Sequence, residues 1–194
     1  EVVAAHNIAM NLNAIFFMPP MAIGMAATIR IGYRIGAGEI TGGRSTAVIA
    51  VATSAGIAIL GALIIYWLRA DMVAIYTKET AVAGLAAALL LFVVFFLFFD
   101  AAQATFVGAL RGYKDTRIPM FIALVSYWVI GLPIGITFGF GYLEGLEGVY
   151  GFWLGLAAGV GVASILLAYR LWRVSRDIPL ITKLSIDAEE QKDH

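Results

Sequence analysis

The sequence contains no cysteine, only two histidines and few charged residues. The absence of cysteine excludes disulfides and thiolate chemistry. His6 and His194 are too few and too far apart for a metal site built on imidazole. Charged residues make up 13% of the chain, whereas a soluble domain carries about 25%. The formal net charge is zero, so no overall basic field favours a nucleic-acid partner.

Apolar residues take the place of the missing charges. They make up 61% of the chain, the mean hydropathy is +0.90, and a soluble domain is only about 45–50% apolar. This composition predicts a membrane protein. The chain begins at Glu1, without an initiator Met or the pattern of a signal peptide, so we expect it to be a piece of a longer protein.

Five apolar segments are long enough to cross a membrane, because about 20 helical residues span the roughly 30 Å of hydrocarbon. They are residues 7–29, 45–68, 80–110, 118–143 and 148–169. The sequence therefore predicts an all-α, polytopic transmembrane helix bundle over residues 1–176. A polar cytoplasmic tail is predicted for residues 177–194.

Basic residues are distributed unequally between the two ends of these spans. Three flank the first loop, three fill the third and four lie between the last span and Lys192, whereas the second loop has two and the fourth has none. Because basic residues accumulate on the cytoplasmic side, we expect the first and third loops and the C-terminus to be cytoplasmic. The N-terminus is then outside, which indicates a further span upstream.

Glycines recur at every fourth position in the last two predicted spans. They are Gly131, Gly135 and Gly139 in one span, and Gly151, Gly155 and Gly159 in the other. This spacing places each set on one helix face, where two backbones can approach closely. We therefore expect the last two spans to pack on each other.

Prolines lie inside two of the predicted spans. Pro19 and Pro20 are in the first span, and Pro133 is in the fourth. A proline inside a helix removes a hydrogen bond and kinks the helix. Membrane proteins use such kinks both beside substrate cavities and for structure alone, and the sequence favours neither.

A glycine-rich stretch, "GYRIGAGE" at residues 32–39, resembles a phosphate-binding loop only superficially. Such a loop follows a strand and opens a helix, whereas a predicted membrane span precedes this one. The favoured interpretation is a basic turn between two spans.

One acidic residue interrupts a predicted span. Asp100 lies eleven residues before Arg111, hence about 16 Å inside the bilayer and near its midplane. An ionised Asp facing lipid there costs at least about 2.5–3.5 kcal/mol, so we expect the side chain to face protein or a wet cavity. It either bonds to a helix neighbour without further function or binds a proton or Na⁺. Because acidic residues inside membranes are usually functional, binding of a proton or Na⁺ is the favoured role.

The residues around the acid divide into two helix faces. A small, mildly polar stripe, bordered by Gln103, contains Asp100, Ala101, Ala104, Thr105, Gly108 and Gly112. The bulky opposite face contains Phe92, Phe95, Phe99 and Phe106. The stripe is therefore predicted to face the protein interior.

Three segments of the chain carry a family resemblance. They are "AAHNIAMNLNAIFFMPPMAIGMAATIRIGYRIGAGE" (4–39), "FFDAAQATFVGALRGYKDTRIPM" (98–120) and "SYWVIGLPIGITFGF" (126–140). Together they closely resemble the C-terminal lobe of multidrug and toxic compound extrusion (MATE) transporters of the NorM type. The resemblance covers nearly all of residues 2–175. It implies two six-helix lobes around a central cleft, with five helices of the second lobe in this chain.

The resemblance also implies roles for individual residues. Asp100 matches the membrane-embedded acid of the family, which couples transport to a cation, and Gln103 matches its companion. We also assign to the substrate pathway Gln103, Phe96, Tyr127, Trp128 and Asn11. Aromatic rings there offer π surface to a flat organic cation, although lipid-facing anchors have the same composition. Phe96 stands where relatives usually carry Tyr, and the helix with the partner Glu is missing.

We therefore expect part of a multidrug efflux antiporter that exchanges organic cations or drugs for Na⁺ or H⁺ across the inner (plasma) membrane. Its partners are the substrate, the lipid bilayer, the missing N-terminal lobe and the first helix of this lobe, with no nucleic acid. We expect no cofactor, no metal site other than Na⁺ at Asp100, and no enzymatic activity. The alternative is a non-transporting membrane scaffold or an inactive truncated relic.

Overall fold

The computed structural model describes residues 1–142 and 147–190, with side chains described as far as residue 186. These residues form helices joined by short turns. In chain order the elements are α1 (Val2–Gly36), α2 (Ile40–Tyr76), α3 (Thr80–Gly112), α4 (Arg117–Val125), a π-helical segment (Ser126–Gly131), α5 (Leu132–Gly139), α6 (Val149–Val174) and α7 (Ile178–Glu190). The predicted all-α architecture is confirmed.

Five of these units are long and apolar enough to cross a membrane, as predicted. They are α1, α2, α3, α6 and a fourth span in which α4, the π-helical segment and α5 run on as residues 117–139. The helices extend past most of the predicted boundaries, because only the part inside the hydrocarbon needs apolar side chains while the backbone hydrogen bonds continue into the interface. The fourth span ends at Gly139 rather than at residue 143, which lies outside the described residues.

α3 is the central helix of the bundle, in contact with α1, α2 and α6. Its side chains are apolar on nearly every side, which is the composition of a helix surrounded by others. Leu89, Leu90, Val93 and Leu97 are all fully buried. α1, α2 and α6 therefore take their positions from α3, and the fourth span packs on α6.

The two glycine ladders pack against each other, as the spacing predicts. A Cβ atom added to Gly155 would lie 2.5 Å from the carbonyl oxygen of Gly131 and would also meet the backbone of Gly135. A Cβ added to Gly159 would lie 3.3 Å from the Cα atom of Gly131. Gly139 departs from this pattern, because it faces the ring of Phe152 instead of a glycine. The fourth span and α6 are thus held in direct backbone contact.

The prolines affect the two helices differently. α1 continues through Pro19 and Pro20 as one unbroken helix, so the bend predicted there stays a prediction. In the fourth span the π-helical segment Ser126–Gly131 ends two residues before Pro133. Because Pro133 has no N–H to offer the carbonyl of Val129, a wider turn at this point relieves the mismatch in the hydrogen-bond ladder.

A further helix, α7, follows the last span. α7 begins at Ile178, and its Ile181 is 2% exposed and packs with Leu171 and Val174 of α6. The segment predicted as a polar cytoplasmic tail, residues 177–194, thus begins with a helix that buries an apolar residue, and its cytoplasmic location stays a prediction. Nearby, the buried carboxylate of Asp115 accepts a hydrogen bond from Nε of Arg170 at 2.6 Å, which ties the turn after α3 to α6.

Replacement of Gly155 by Ala is expected to destabilise the bundle by about 1–3 kcal/mol. The new Cβ would meet backbone atoms of the fourth span, which cannot rotate away as a side chain can. The measurement is the thermal unfolding midpoint of the purified protein in detergent.

Gly161→Ala on the same helix is the matched control, because a Cβ there meets nothing within 4 Å. Removing a glycine from a helix favours folding by roughly 0.5–1 kcal/mol when no clash follows, so the control is expected to be neutral or stabilising. Equal midpoints for the two variants would contradict the proposed backbone contact.

Candidate functional site

α3 places Asp100 well inside the bundle. The helix runs unbroken from Thr80 to Gly112, so Asp100 lies twelve residues, or about 18 Å, from its C-terminal end. The side chain is half-buried. It lines an open groove between α1 and α3 with a volume of about 350 Å³. We call this groove the acidic groove.

Two helices contribute the walls of the acidic groove. α1 contributes Phe17, Met21, Gly24, Met25 and Thr28, and α3 contributes Asp100, Gln103, Ala104, Val107, Gly108 and Arg111. On each helix these residues recur at intervals of three and four, so they form one continuous face. The acidic groove is thus apolar and thioether-lined on α1, and polar on α3.

A close contact between α1 and α3 forms the floor of the acidic groove. A Cβ atom on Gly108 would collide with the carbonyl group of Gly24, so the two backbones touch where neither residue has a side chain. Thr28 Oγ1 is within hydrogen-bonding distance of two carbonyl oxygens, that of Gly108 at 2.7 Å and that of Gly24 at 3.1 Å. The contact fixes the distance between the helices that carry the groove.

Asp100 is the acidic residue of this groove, and Arg111 is its basic residue. They are eleven positions apart on one helix, or about 16 Å along its axis, too far to form an ion pair. The ion pairs among the described residues are Arg34 with Glu39 and Asp115 with Arg170, and neither includes Asp100. Within the described chain the carboxylate therefore faces the groove without a cationic side chain beside it.

Gln103 links the acidic groove to the fourth span. The hydroxyl of Tyr127, in the π-helical segment, donates a hydrogen bond to Oε1 of Gln103 at 2.9 Å. Gln103 is three residues after Asp100, so both lie on the same side of α3. Three of the predicted site residues, Asp100, Gln103 and Tyr127, are thus brought together.

The other predicted pathway residues lie outside the acidic groove. Phe96 is 7% exposed and packs edge-to-face against Trp153, with ring centroids 6.0 Å apart. Trp128 is 65% exposed on the outer side of the fourth span. Asn11 accepts a hydrogen bond from the hydroxyl of Tyr76 at 2.8 Å. A role of these three residues in the substrate pathway stays a prediction.

The small-residue stripe of α3 faces two neighbours rather than one. Asp100, Ala104 and Gly108 face the acidic groove. Thr105 is fully buried on the α2 side, where its hydroxyl bonds to Ser54 Oγ at 2.8 Å. The stripe is too wide for one helix to cover, so α1 and α2 share it.

Sequence reasoning missed the α1 wall of the acidic groove. Met21 and Met25, together with Thr28, repeat at intervals of four and three, and Gly24 lies between them. This is the helical spacing of the α3 residues, and a match of the two faces would have revealed the pair.

The chain resembles known transporters over nearly its whole length. The MatE family model matches residues 1–137. The multidrug resistance protein PmpM of Pseudomonas aeruginosa is 42% identical over 177 residues, which are 91% of this chain and 37% of PmpM. The multidrug resistance protein MdtK of Proteus mirabilis is 37% identical over 175 residues, which are 90% of this chain and 38% of MdtK.

A solved structure shows the same fold. The crystal structure of the eukaryotic MATE transporter AtDTX14 matches with a TM-score of 0.82 and 21% sequence identity, over 94% of this chain and 41% of that protein. The chain therefore spans somewhat more than a third of the length of the relatives it matches.

The lack of cysteine in this chain makes the acidic groove directly testable. Two variants, Ala104→Cys and Ala101→Cys, are made in the natural protein after any other cysteines have been removed. The Ala104→Cys variant is expected to react with a water-soluble maleimide at least about tenfold faster than the Ala101→Cys variant. Ala104 lines the groove, whereas Ala101, on the same helix, is fully buried. The measurement is the labelling rate in intact membranes, and equal rates would show that water does not enter the groove.

Proposed function

Since this chain belongs to the MatE family, we propose that it is the ion-coupling part of a multidrug efflux transporter that exchanges organic cations or drugs for Na⁺ or H⁺. The observation that carries the proposal is the position of Asp100, a carboxylate deep in a spanning helix that faces an open groove. Intramembrane acids in such places typically mark ion or substrate pathways. The names of the relatives, which are multidrug resistance proteins, support the same function.

The acidic groove suits competition between a small cation and a drug. One carboxylate without a cationic partner in the described chain attracts either a proton, a Na⁺ ion or an organic cation, and each lowers the affinity for the others. Such a coupling of two ligands through one charge is reciprocal, so entry of the ion favours release of the drug. An antiporter needs this exchange.

The α1 wall gives the acidic groove a basis for broad selectivity. Met21 and Met25 present flexible, polarizable thioethers, and Phe17 adds an aromatic ring. Methionine side chains adapt to ligands of different shape, and surfaces rich in them bind many partners. We assign to this wall the apolar contact with the drug, and to Asp100 the contact with its positive charge.

The distribution of basic residues supports a cytoplasmic C-terminus. Successive spans alternate in direction, so the ends of α1, α3 and α6 lie on the same side as the starts of α2 and α4. That side carries ten of the twelve basic residues that precede Lys192. We assign the protein to the inner membrane, and by the positive-inside rule this side of it faces the cytoplasm. We assign no enzymatic reaction to the chain.

Replacement of Asp100 by Asn in the natural full-length protein is expected to lower drug efflux at least tenfold. The amide keeps the shape of the carboxyl group but neither takes up a proton nor carries a charge for Na⁺. The measurement is the efflux of a fluorescent organic cation from cells, with the thermal unfolding midpoint as the check on folding. Asp71→Asn, an exposed acid of α2, is the control and is expected to retain efflux. Wild-type efflux by the Asp100 variant would refute the coupling role.

The coupling ion is identified by applying a Na⁺ gradient and a pH gradient separately to vesicles that contain the protein. Only the gradient of the coupling ion is expected to move the organic cation, in the direction opposite to that ion, and the Asp100→Asn variant is expected to respond to neither gradient. A protein that binds no drug and responds to neither gradient would instead support the non-transporting scaffold.

A further inference from the structure

A second groove lies on a different side of α3 and has a different chemistry. It runs between α2 and α6, which both pack on α3, and has a volume of about 380 Å³. We call it the basic groove, because Arg44 and Arg176 lie at one end of it and no acidic residue lines it. The function proposed above does not use this groove.

The basic groove has the length of one leaflet of a bilayer. On α2 its wall extends from Arg44 to Ala55, which are eleven residues, or about 16 Å, apart along the helix. Half of the hydrocarbon thickness is about 15 Å. Small side chains such as Ala47 and Ala168 leave the space open, and Phe106 of α3 contributes to its lining. The size and lining suit an extended acyl chain.

The charged end of the basic groove lies at the level of an interface. Trp172 lines the groove, is 53% exposed and stacks on Tyr169, as aromatic residues at membrane interfaces do. The guanidinium of Arg176 lies 4.6 Å from the centre of the Trp172 ring, which holds it beside the groove. Arg44 is on the facing helix at the same end of the bundle.

The charge of these two arginines is available to a ligand. Neither of the ion pairs formed by residues 1–142 and 147–186 includes Arg44 or Arg176. Asp177 follows Arg176 in the chain, but its Oδ1 accepts a hydrogen bond from the backbone N–H of Leu180 at 3.0 Å at the start of α7. Two guanidinium groups at the mouth of an apolar groove are complementary to an anion that carries a long apolar tail.

We propose that the basic groove binds an anionic phospholipid, with one acyl chain along the wall formed by α2 and α6 and the phosphate between Arg44 and Arg176. Guanidinium groups bind phosphate oxygens through paired hydrogen bonds, and basic pockets between membrane helices are known to hold anionic headgroups. Free phosphate would leave the apolar walls without a partner. The lipid would join α2 to α6 at the end of the bundle where α3 meets the turn to α4.

The proposal is tested by native mass spectrometry of the natural full-length protein in detergent, titrated with dioleoyl phosphatidylglycerol. One tightly held lipid per protein is expected, and the Arg44→Gln/Arg176→Gln double variant is expected to bind it about 30-fold more weakly. The matched control is Arg30→Gln/Arg117→Gln, which removes the same charge from two exposed arginines outside the groove and is expected to bind as the wild type does.

Three further comparisons decide the nature of the ligand. Ala52→Phe fills the basic groove while both arginines remain, and it is expected to weaken binding of the lipid at least about tenfold. Dioleoyl phosphatidylcholine and glycerol phosphate are expected to bind far more weakly than phosphatidylglycerol. Equal binding of glycerol phosphate would identify a site for free phosphate. Three outcomes would overturn the proposal. Phosphatidylcholine could bind as tightly as phosphatidylglycerol, or the two double variants could lose the same lipid affinity. The third outcome is that no lipid binds because another helix of the protein fills the groove.

Discussion

The contact between the backbones of Gly24 and Gly108 is the constraint on which the acidic groove depends. Both residues lack a side chain, so α1 and α3 meet more closely there than any other pair of residues would allow. The groove beside that contact is bounded by Met21 and Met25 on one helix and by Asp100 on the other. A larger residue at either glycine would separate the walls and change every distance to the carboxylate.

The central position of α3 gives the chain two grooves of opposite character. On the α1 side the helix presents Asp100 to the acidic groove, and towards α2 and α6 it presents Phe106 to the basic groove. A charge at depth needs water or an ion beside it, whereas a phenylalanine favours lipid or protein. One helix thus separates a groove that holds a carboxylate from a groove with apolar walls.

The sequence predicts well those features that depend on one helix or on a regular repeat. The five spans follow from apolar length, and the contact of the two glycine ladders follows from their spacing of four. Phe96 shows where this reasoning stops. The family resemblance assigns Phe96 to the substrate pathway, and that role stays a prediction, because the structure shows only that its ring packs against Trp153 of α6. Helical spacing sets the angle of a side chain, but the neighbouring helix decides what that side chain meets.

By itself, therefore, the sequence determined the membrane-spanning class, the number of spans, and the depth of Asp100 along α3. Each of these depends on the rise per residue and on the thickness of the hydrocarbon, which are the same for every helix. Only the tertiary structure decided that Met21 lies opposite Asp100, that Tyr127 bonds to Gln103, and that Arg44 and Arg176 share one groove. These pairs join residues distant in the chain, and the packing of side chains and glycines between helices selects them.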